Sequence, residues 1–492
     1  MSAAIGLAPG RPVRSTLGRN HELADILKIV IPFLVITVAA LAAKPALLRV
    51  LFPATVCLCG YWIYKRNECY YLSFAMWIVM LTPLLRRLVD YKSSYQFQSL
   101  VLLAPLLVIW LPMVDLRRRL AMSAPMVRTA MLLTVSGVVF GAGIGVIKHP
   151  NLSSSIILSA VMWVGPMVLC VFAASVTDRE RLARVLTTTI AWGVLVMSAY
   201  GIYQFVVAPP WDTYWLREVN IGNFSPSFGH PEPYGIRVWS TMNSPGAFAL
   251  FLSACLIWLA TRKGLMVAIA NMTGYIALLL TLVRTAWMMT ALGLLLCALT
   301  WRKKPSLKSA AGGILTVGLI GCGLLYATQF PKVQDRLKTF TSLKSDRSVG
   351  ERKLMYRFME KYVLSTPLGD GLQSPAEYHG YLLDSTFAEL FFMLGWIGGI
   401  CYAAGLGYLL LLMVMSLRRV SGTQAGAVVV TLAIVSQAIS GDILYRQGGV
   451  VLWLFIGIWA SFVSRPGSLH ARSRFSFAER VLTPERLPTP AI

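Results

Sequence analysis

Charged side chains are scarce in this chain. Asp, Glu, Lys and Arg together make up 13% of its 492 residues, while 56% are hydrophobic. A water-soluble fold needs a larger polar share to cover its surface, and no globular core could bury so many uninterrupted apolar runs. Cysteine is present, but not where a disulfide framework would need it. All eight cysteines lie within or beside apolar runs and none falls in the two long polar intervals, so they read as small buried side chains with no disulfide scaffold or zinc site. Neither interval carries a DxD-like or His-rich cluster, which argues against metal-dependent chemistry, and no cofactor is expected. The N-terminus also lacks the pattern of a cleaved signal peptide. Arg11, Arg14 and Arg19 are followed by Glu22 and Asp25 before the first apolar run, which is expected to remain as a helix.

What the chain does contain is apolar runs. About fourteen of them are long enough to cross a hydrocarbon core: 26–43, 45–64, 68–85, 98–114, 129–147, 154–176, 186–207, 246–260, 265–283, 285–300, 309–329, 386–416, 424–440 and 448–464. The expected fold class is an all-α, polytopic integral membrane protein with about 14 transmembrane helices and one long late loop outside the membrane. The formal charge of +24 does not point to nucleic acid, because Lys and Arg are spread through short connections instead of forming one stripe. With the N-terminus cytoplasmic, more than half of the 45 basic residues fall inside, among them Lys65-Arg66, Arg117-Arg118-Arg119, Arg262-Lys263 and Arg418-Arg419. That bias matches the positive-inside rule. The division is therefore a cytoplasmic segment 1–25, a membrane domain 26–464 with outside loops 208–245 and 330–384, and a disordered cytoplasmic tail 465–492 rich in Pro and Arg. Within the second loop Leu354, Met355, Phe358 and Tyr362 recur at helical spacing, predicting an amphipathic helix near the membrane surface.

A few polar residues stand out against this background. Arg284 interrupts a long apolar stretch that must reverse near it, which holds the arginine at or just beneath the outer surface; it is either functional or a snorkelling residue at a tight turn. Arg237 lies where the first outside loop enters the next span. Asn243 or Ser244 before Pro245 makes a helix start, which leaves Arg237 unexplained by capping; its planar fork suits a phosphate or pyrophosphate, the alternative being a pair with Glu232 or lipid phosphates. His379 and Asp384 are the late loop's candidates for moving a proton, although Asp384 could equally cap the helix that follows. Pro367-Leu-Gly369-Asp-Gly371 is a turn-rich segment whose N–H groups could meet a ligand. Glu389 reads as a buried acid or as part of an amphipathic helix start, and Asp442 could pair with Arg446.

Taken in order from Tyr200 to Gly399, these segments resemble the bacterial O-antigen ligase and polymerase superfamily. The likeness rests on Arg237-Val-Trp-Ser-Thr-Met-Asn-Ser-Pro, Leu282-Val-Arg-Thr-Ala-Trp, Gly350-Glu-Arg-Lys-Leu-Met-Tyr with Thr366-Pro-Leu-Gly-Asp-Gly-Leu, and Asp384-Ser-Thr-Phe-Ala-Glu-Leu with Leu394-Gly-Trp-Ile-Gly-Gly. The resemblance implies a GT-C-like, metal-independent glycosyltransferase of the bacterial inner membrane with both termini cytoplasmic. Its donor would be a polyprenyl-pyrophosphate-linked oligosaccharide and its acceptor a glycan, with a chain-length regulator and export machinery as further partners and the lipid bilayer around it. Carried over by position, Arg237, Arg284 and Arg352 hold the donor pyrophosphate, His379 or Asp384 activates the acceptor, and Gly369, Gly371 and Glu389 support the site. One departure is that Asp384 stands where the family usually has His or Asp, with His379 five residues earlier; another is that the first motif lacks the usual Gly-Thr-Phe. A polymerase of exopolysaccharide or O-antigen repeat units is the reading adopted, with a ligase to lipid A core as the alternative. A flippase or transporter is the rival of another class. Such proteins commonly have related halves and polar residues at the membrane midplane, and this sequence shows neither.

Overall fold

The computed structural model describes residues 16–219, 228–300, 347–372 and 385–463. Among the described residues every regular element is a helix, apart from one isolated antiparallel bridge between Gly229 and Ile236. Ten helical segments are long and apolar enough to cross a membrane, and three further apolar helices are shorter. These coincide with the expected runs, and the architecture is that of a polytopic membrane protein. The run 309–329 and the tail 465–492 lie outside the described residues, so the count of fourteen is not tested there.

The first helices are α1 (Thr16–Ala43), α2 (Leu48–Arg66) and α3 (Glu68–Lys92), followed by two short pieces, α4 (Leu103–Trp110) and α5 (Leu116–Met122). The long central ones are α6 (Pro125–Lys148), α7 (Ser153–Ser175) and α8 (Arg179–Val207), then the short α9 (Pro210–Val219). After these come α10 (Pro245–Ala260), α11 (Leu265–Leu280), α12 (Arg284–Thr300), α13 (Arg347–Ser365), α14 (Thr386–Ser416), α15 (Gly422–Val435) and α16 (Arg446–Val463).

Two boundaries depart from the apolar runs, each for a physical reason. Hydropathy stops α3 near residue 85, yet the helix continues through Arg86, Arg87 and Asp90 to Lys92. Burying those charges is tolerable because they are paired: Asp90 lies 3.0 Å from Arg86 and 3.4 Å from Arg49 of α2. The run 98–114 is not one helix. It breaks into 3-10 turns at Leu100–Leu102 and Leu111–Asp115 around α4, the second with Pro112 at its start, where a missing N–H does no harm. At the opposite end of the bundle Arg119 is similarly enclosed, donating to Tyr64, Asp115, Ser175 and Glu68 at 2.7–3.0 Å.

Close packing at the centre depends on small residues. Gly137, Gly141 and Gly145 recur every four residues on one face of α6; α14 crosses the first two with Gly398 and Leu394, and Leu372 meets the third. A Cβ at Gly398 would stand 2.8 Å from the Gly137 carbonyl oxygen, and one at Gly145 would stand 3.0 Å from that of Leu372. The seam is therefore a backbone-to-backbone contact that any side chain would force apart. Gly141→Leu is expected to lower the thermal midpoint of the detergent-solubilised protein, with an overpacking cost of about 1–3 kcal/mol or more. Gly143→Leu is the control, because no atom lies within 4 Å of a Cβ there and the substitution should leave the midpoint nearly unchanged.

Candidate functional site

Arg237 and Arg284 come together at the end of the bundle where α11 turns into α12. These helices are 16 and 17 residues long. At ~1.5 Å per residue α11 falls a few ångströms short of a hydrocarbon core of roughly 30 Å. The turn is made by Thr281, Leu282 and Val283, with Leu282 at φ +57°, a conformation that a branched side chain rarely adopts. Of its carbonyl groups, that of Val283 accepts from the Ala286 and Trp287 N–H groups of α12, and those of Thr281 and Leu282 are met by Arg237. The Arg237 guanidinium donates to the carbonyl oxygens of Thr281 at 3.2 Å and Leu282 at 3.3 Å. The Val238 N–H donates to that of Leu280 at 3.1 Å, and Arg284 opens α12 directly after the turn. Arg237 and Arg284, separated by two entire helices in sequence, thus meet at a single strained reversal. Ser244 caps α10 through the Ala247 N–H at 3.1 Å with Pro245 behind it, as the sequence indicates.

The start of α14 is tied to the same end. Beside Arg284, the Thr285 carbonyl accepts from the Gln437 side chain at 2.9 Å. The connection that follows Gln437 then folds over the helix start: Ser385 Oγ donates to the Ala438 carbonyl at 3.3 Å, and Thr386 Oγ1 donates to Gly441 at 2.7 Å while accepting from the Ile443 N–H at 3.2 Å. α13 joins them. Its Tyr356 hydroxyl reaches Ser385 Oγ at 3.2 Å and the Ile439 carbonyl at 2.8 Å, and its Tyr362 ring packs on Phe392 at 5.5 Å. The predicted helix over Leu354–Tyr362 is therefore present and lies against α14. Arg352 falls within it, one turn before Tyr356. His379 and Asp384 lie outside the described residues, although Ser385, next to Asp384, is fully buried.

Glu389 is 7% exposed and accepts a hydrogen bond from the Tyr445 hydroxyl at 3.0 Å. Tyr445 stacks on Trp163 with ring centres 5.1 Å apart. Burial, reinforced by the nearby Asp442 and Glu389 carboxyls, holds the Tyr445 phenol well above its ordinary range, so it stays protonated and acts as a donor. Asp442 accepts the Leu444 N–H at 3.2 Å, and the Arg446 guanidinium stands 5.1 Å over the Tyr445 ring.

The glycine turn has a role that sequence alone did not reveal. Gly395 breaks α14 at φ +65°. In an unbroken helix the Trp396 N–H would bond the Phe392 carbonyl. Here Trp396 donates to Pro367 at 2.7 Å, and Phe392 accepts from Asp370 at 2.8 Å. The loop has threaded itself into the ladder of the helix. The Gly369 N–H donates to Thr366 at 2.9 Å and the Leu372 N–H to Gly141 at 3.2 Å, so three of the turn's donors are engaged within the protein. Lys148 closes the arrangement, 2.6 Å from the Gly369 carbonyl and 3.6 Å from Asp370, which His149 also approaches at 3.7 Å.

Sequence reasoning passed over a second group behind Arg237. Asp212 on α9 is fully buried, accepts from Tyr200 and Gln204 at 2.7 Å each, and stands 3.3 Å from Arg87. One signal was available: Arg86, Arg87 and Asp90 fall on the side of the membrane where the charge bias expects few basic residues.

No protein family, curated protein or solved structure matches the chain. The class that the fold defines is a polytopic helical membrane protein, with a closely tied polar cluster at the end that carries Arg237 and Arg284.

That end should be sensitive to loss of single hydrogen bonds. Thr386→Val keeps the shape but deprives the Gly441 carbonyl and the Ile443 N–H of a shared partner, a loss expected to cost about 1–3 kcal/mol. The check is the thermal midpoint in detergent, against an exposed control such as Thr188→Val. Equal midpoints would show that the clamp over α14 contributes nothing.

Proposed function

We propose that this protein is a membrane glycosyltransferase that polymerises polyprenyl-pyrophosphate-linked saccharide repeat units at the outer face of the bacterial inner membrane, with both termini cytoplasmic. One observation carries the reading. Segments widely spaced in the chain, around Arg237, Arg284 and Ser385–Glu389, are joined at one end of the bundle by Gln437 and the connection behind it. Those are the segments on which the resemblance to O-antigen ligases and polymerases rests. Two arginines at one turn suit a pyrophosphate leaving group, because planar guanidinium forks match its oxygens and neutralise charge as the glycosidic bond breaks.

In this reading Arg237 and Arg284, with Arg352 from α13, hold the donor's pyrophosphate. His379 or Asp384 takes the proton from the acceptor hydroxyl as it attacks the anomeric carbon, inverting it without a metal. The buried start of α14 and the connection before α16, with α13 lying against them, give that chemistry a rigid wall. A growing lipid-linked glycan is the acceptor.

The test is transfer by the purified protein, given a lipid-linked oligosaccharide and read by product size. Arg237→Ala and Arg284→Ala are each expected to cut the rate roughly a hundred- to thousandfold at equal membrane levels, as when one preorganised donor is removed from a charge-stabilising site. Lys at either position should restore little, since a point charge cannot reproduce the fork. Near-normal polymer from both alanine variants would sink the assignment, and products only on a lipid A core acceptor would turn it toward a ligase.

The proton acceptor is separable by the same assay run against pH. If His379 is the base, His379→Ala should remove about a hundred- to ten-thousandfold of the rate and Asp384→Asn should retain part of it; the reverse order assigns the base to Asp384. Wild-type rates in both variants would exclude both residues.

A further inference from the structure

The geometry points to Arg87, Gln204 and Asp212 as positioning residues that fix the Val238–Ser240 backbone and thereby set where the Arg237 guanidinium stands. This deepens the reading given under Proposed function and rests on it.

The segment that carries Arg237 has little regular structure of its own. Among the described residues of this segment only the single bridge at Gly229 and Ile236 precedes it, and α10 begins at Pro245. Ser240 is held at φ +51°, a left-handed conformation that a serine adopts only when its surroundings impose it. The surroundings that do so come from two separate helices, α8 and α3. Gln204 of α8 accepts two consecutive backbone N–H groups with one oxygen, Trp239 at 3.1 Å and Ser240 at 2.9 Å. Arg87 of α3 donates to the Ser240 carbonyl. Ser240 Oγ donates to the Met197 carbonyl at 2.5 Å, again on α8.

Asp212 fixes both of the side chains that grip the segment. Its Oδ2 accepts the Gln204 amide at 2.7 Å, which leaves the Gln204 oxygen facing the two N–H groups, and its Oδ1 stands 3.3 Å from Arg87. Tyr200 donates to the same Oδ2 at 2.7 Å and accepts from Trp211 at 2.7 Å, so the carboxylate cannot rotate away without breaking several bonds. Arg87 and Asp212 are both fully buried, and the Arg87 guanidinium lies about 6 Å from the Trp215 and Trp239 rings. A buried charge pair is a poor device for stability alone, because a well-packed apolar pair would often serve as well. Here it performs a directional task. It pins the backbone on the far side of Val238, whose N–H is bound to Leu280, while Arg237 reaches the next two carbonyls of the same turn.

Two measurements on the full chain in detergent test this. Asp212→Asn keeps the shape but removes the charge that orients Gln204 and Arg87. Backbone hydrogen exchange over residues 236–242 is expected to speed up in this variant, while α10, α11 and α12 keep their protection. Transfer should fall by about a hundredfold, the effect of displacing a group by roughly an ångström. In an Arg237→Ala background Asp212→Asn should then cost almost nothing further, because residues that act through one another are not additive. A merely structural role predicts additive losses.

Should Asp212→Asn not fold, Gln204→Met leaves the Arg87–Asp212 pair in place and tests the same grip. Unchanged exchange over 236–242 in every variant that folds, or additive losses of transfer, overturns the assignment. If the unmodified protein transfers no sugar, the glycosyltransferase reading fails by itself, and the exchange measurement still decides whether these residues position the segment.

Discussion

A helix that stops inside a membrane protein leaves carbonyl groups with no helical partner, and where water is scarce something else must bond them. The reversal after α11 presents this problem in its sharpest form, because Thr281 and Leu282 are both buried. Arg237 resolves it with one side chain, and much of that end of the bundle follows. The segment bearing Arg237 must lie across the turn, α12 must start at Arg284, and Gln437 can then reach the Thr285 carbonyl from α15's C-terminal extension. The guanidinium thus has a structural duty whatever chemistry it also performs.

A second solution to the same constraint appears at Gly395. Instead of an arginine, a stretch of loop backbone supplies the missing partners, with Pro367 and Asp370 taking up the donor and acceptor that the broken helix releases. This works only because Gly369, Gly371, Gly395 and Gly145 let main chains touch; a Cβ at Gly145 would crowd both the nitrogen and the oxygen of Leu372. The late loop is consequently welded between α6 and α14 at one point and leans on α14 through Tyr356 and Tyr362 at another.

Hydrophobic run lengths made the membrane architecture legible, since a segment that crosses hydrocarbon must be long and apolar whatever it packs against. The placement of Arg284 at a turn was legible for the same reason. The amphipathic spacing of Leu354 to Tyr362 foretold α13. Legibility failed where partners are distant in the chain. Nothing near Asp212 announces that it faces Arg87, and nothing in Pro367–Leu372 distinguishes a ligand-binding turn from one that enters a helix. The break of the run 98–114 was hidden because hydropathy measures composition and ignores the backbone effect of Pro112.

The buried pair behind Arg237 also bears on how the chain is made. Arg87 needs the Ser240 carbonyl, 153 residues further along. At ~5–20 residues per second, roughly eight to thirty seconds of synthesis separate the two. Throughout that interval the side chain must find other company, and its long stem lets it extend to the headgroups beside the end of α3. Only when α9 and the entry to α10 have emerged can it withdraw from the lipid boundary into its final enclosure. Assembly of this end is therefore a late event, since Arg87, fully buried in the folded chain, reaches its enclosure only after α9 and the entry to α10 are made.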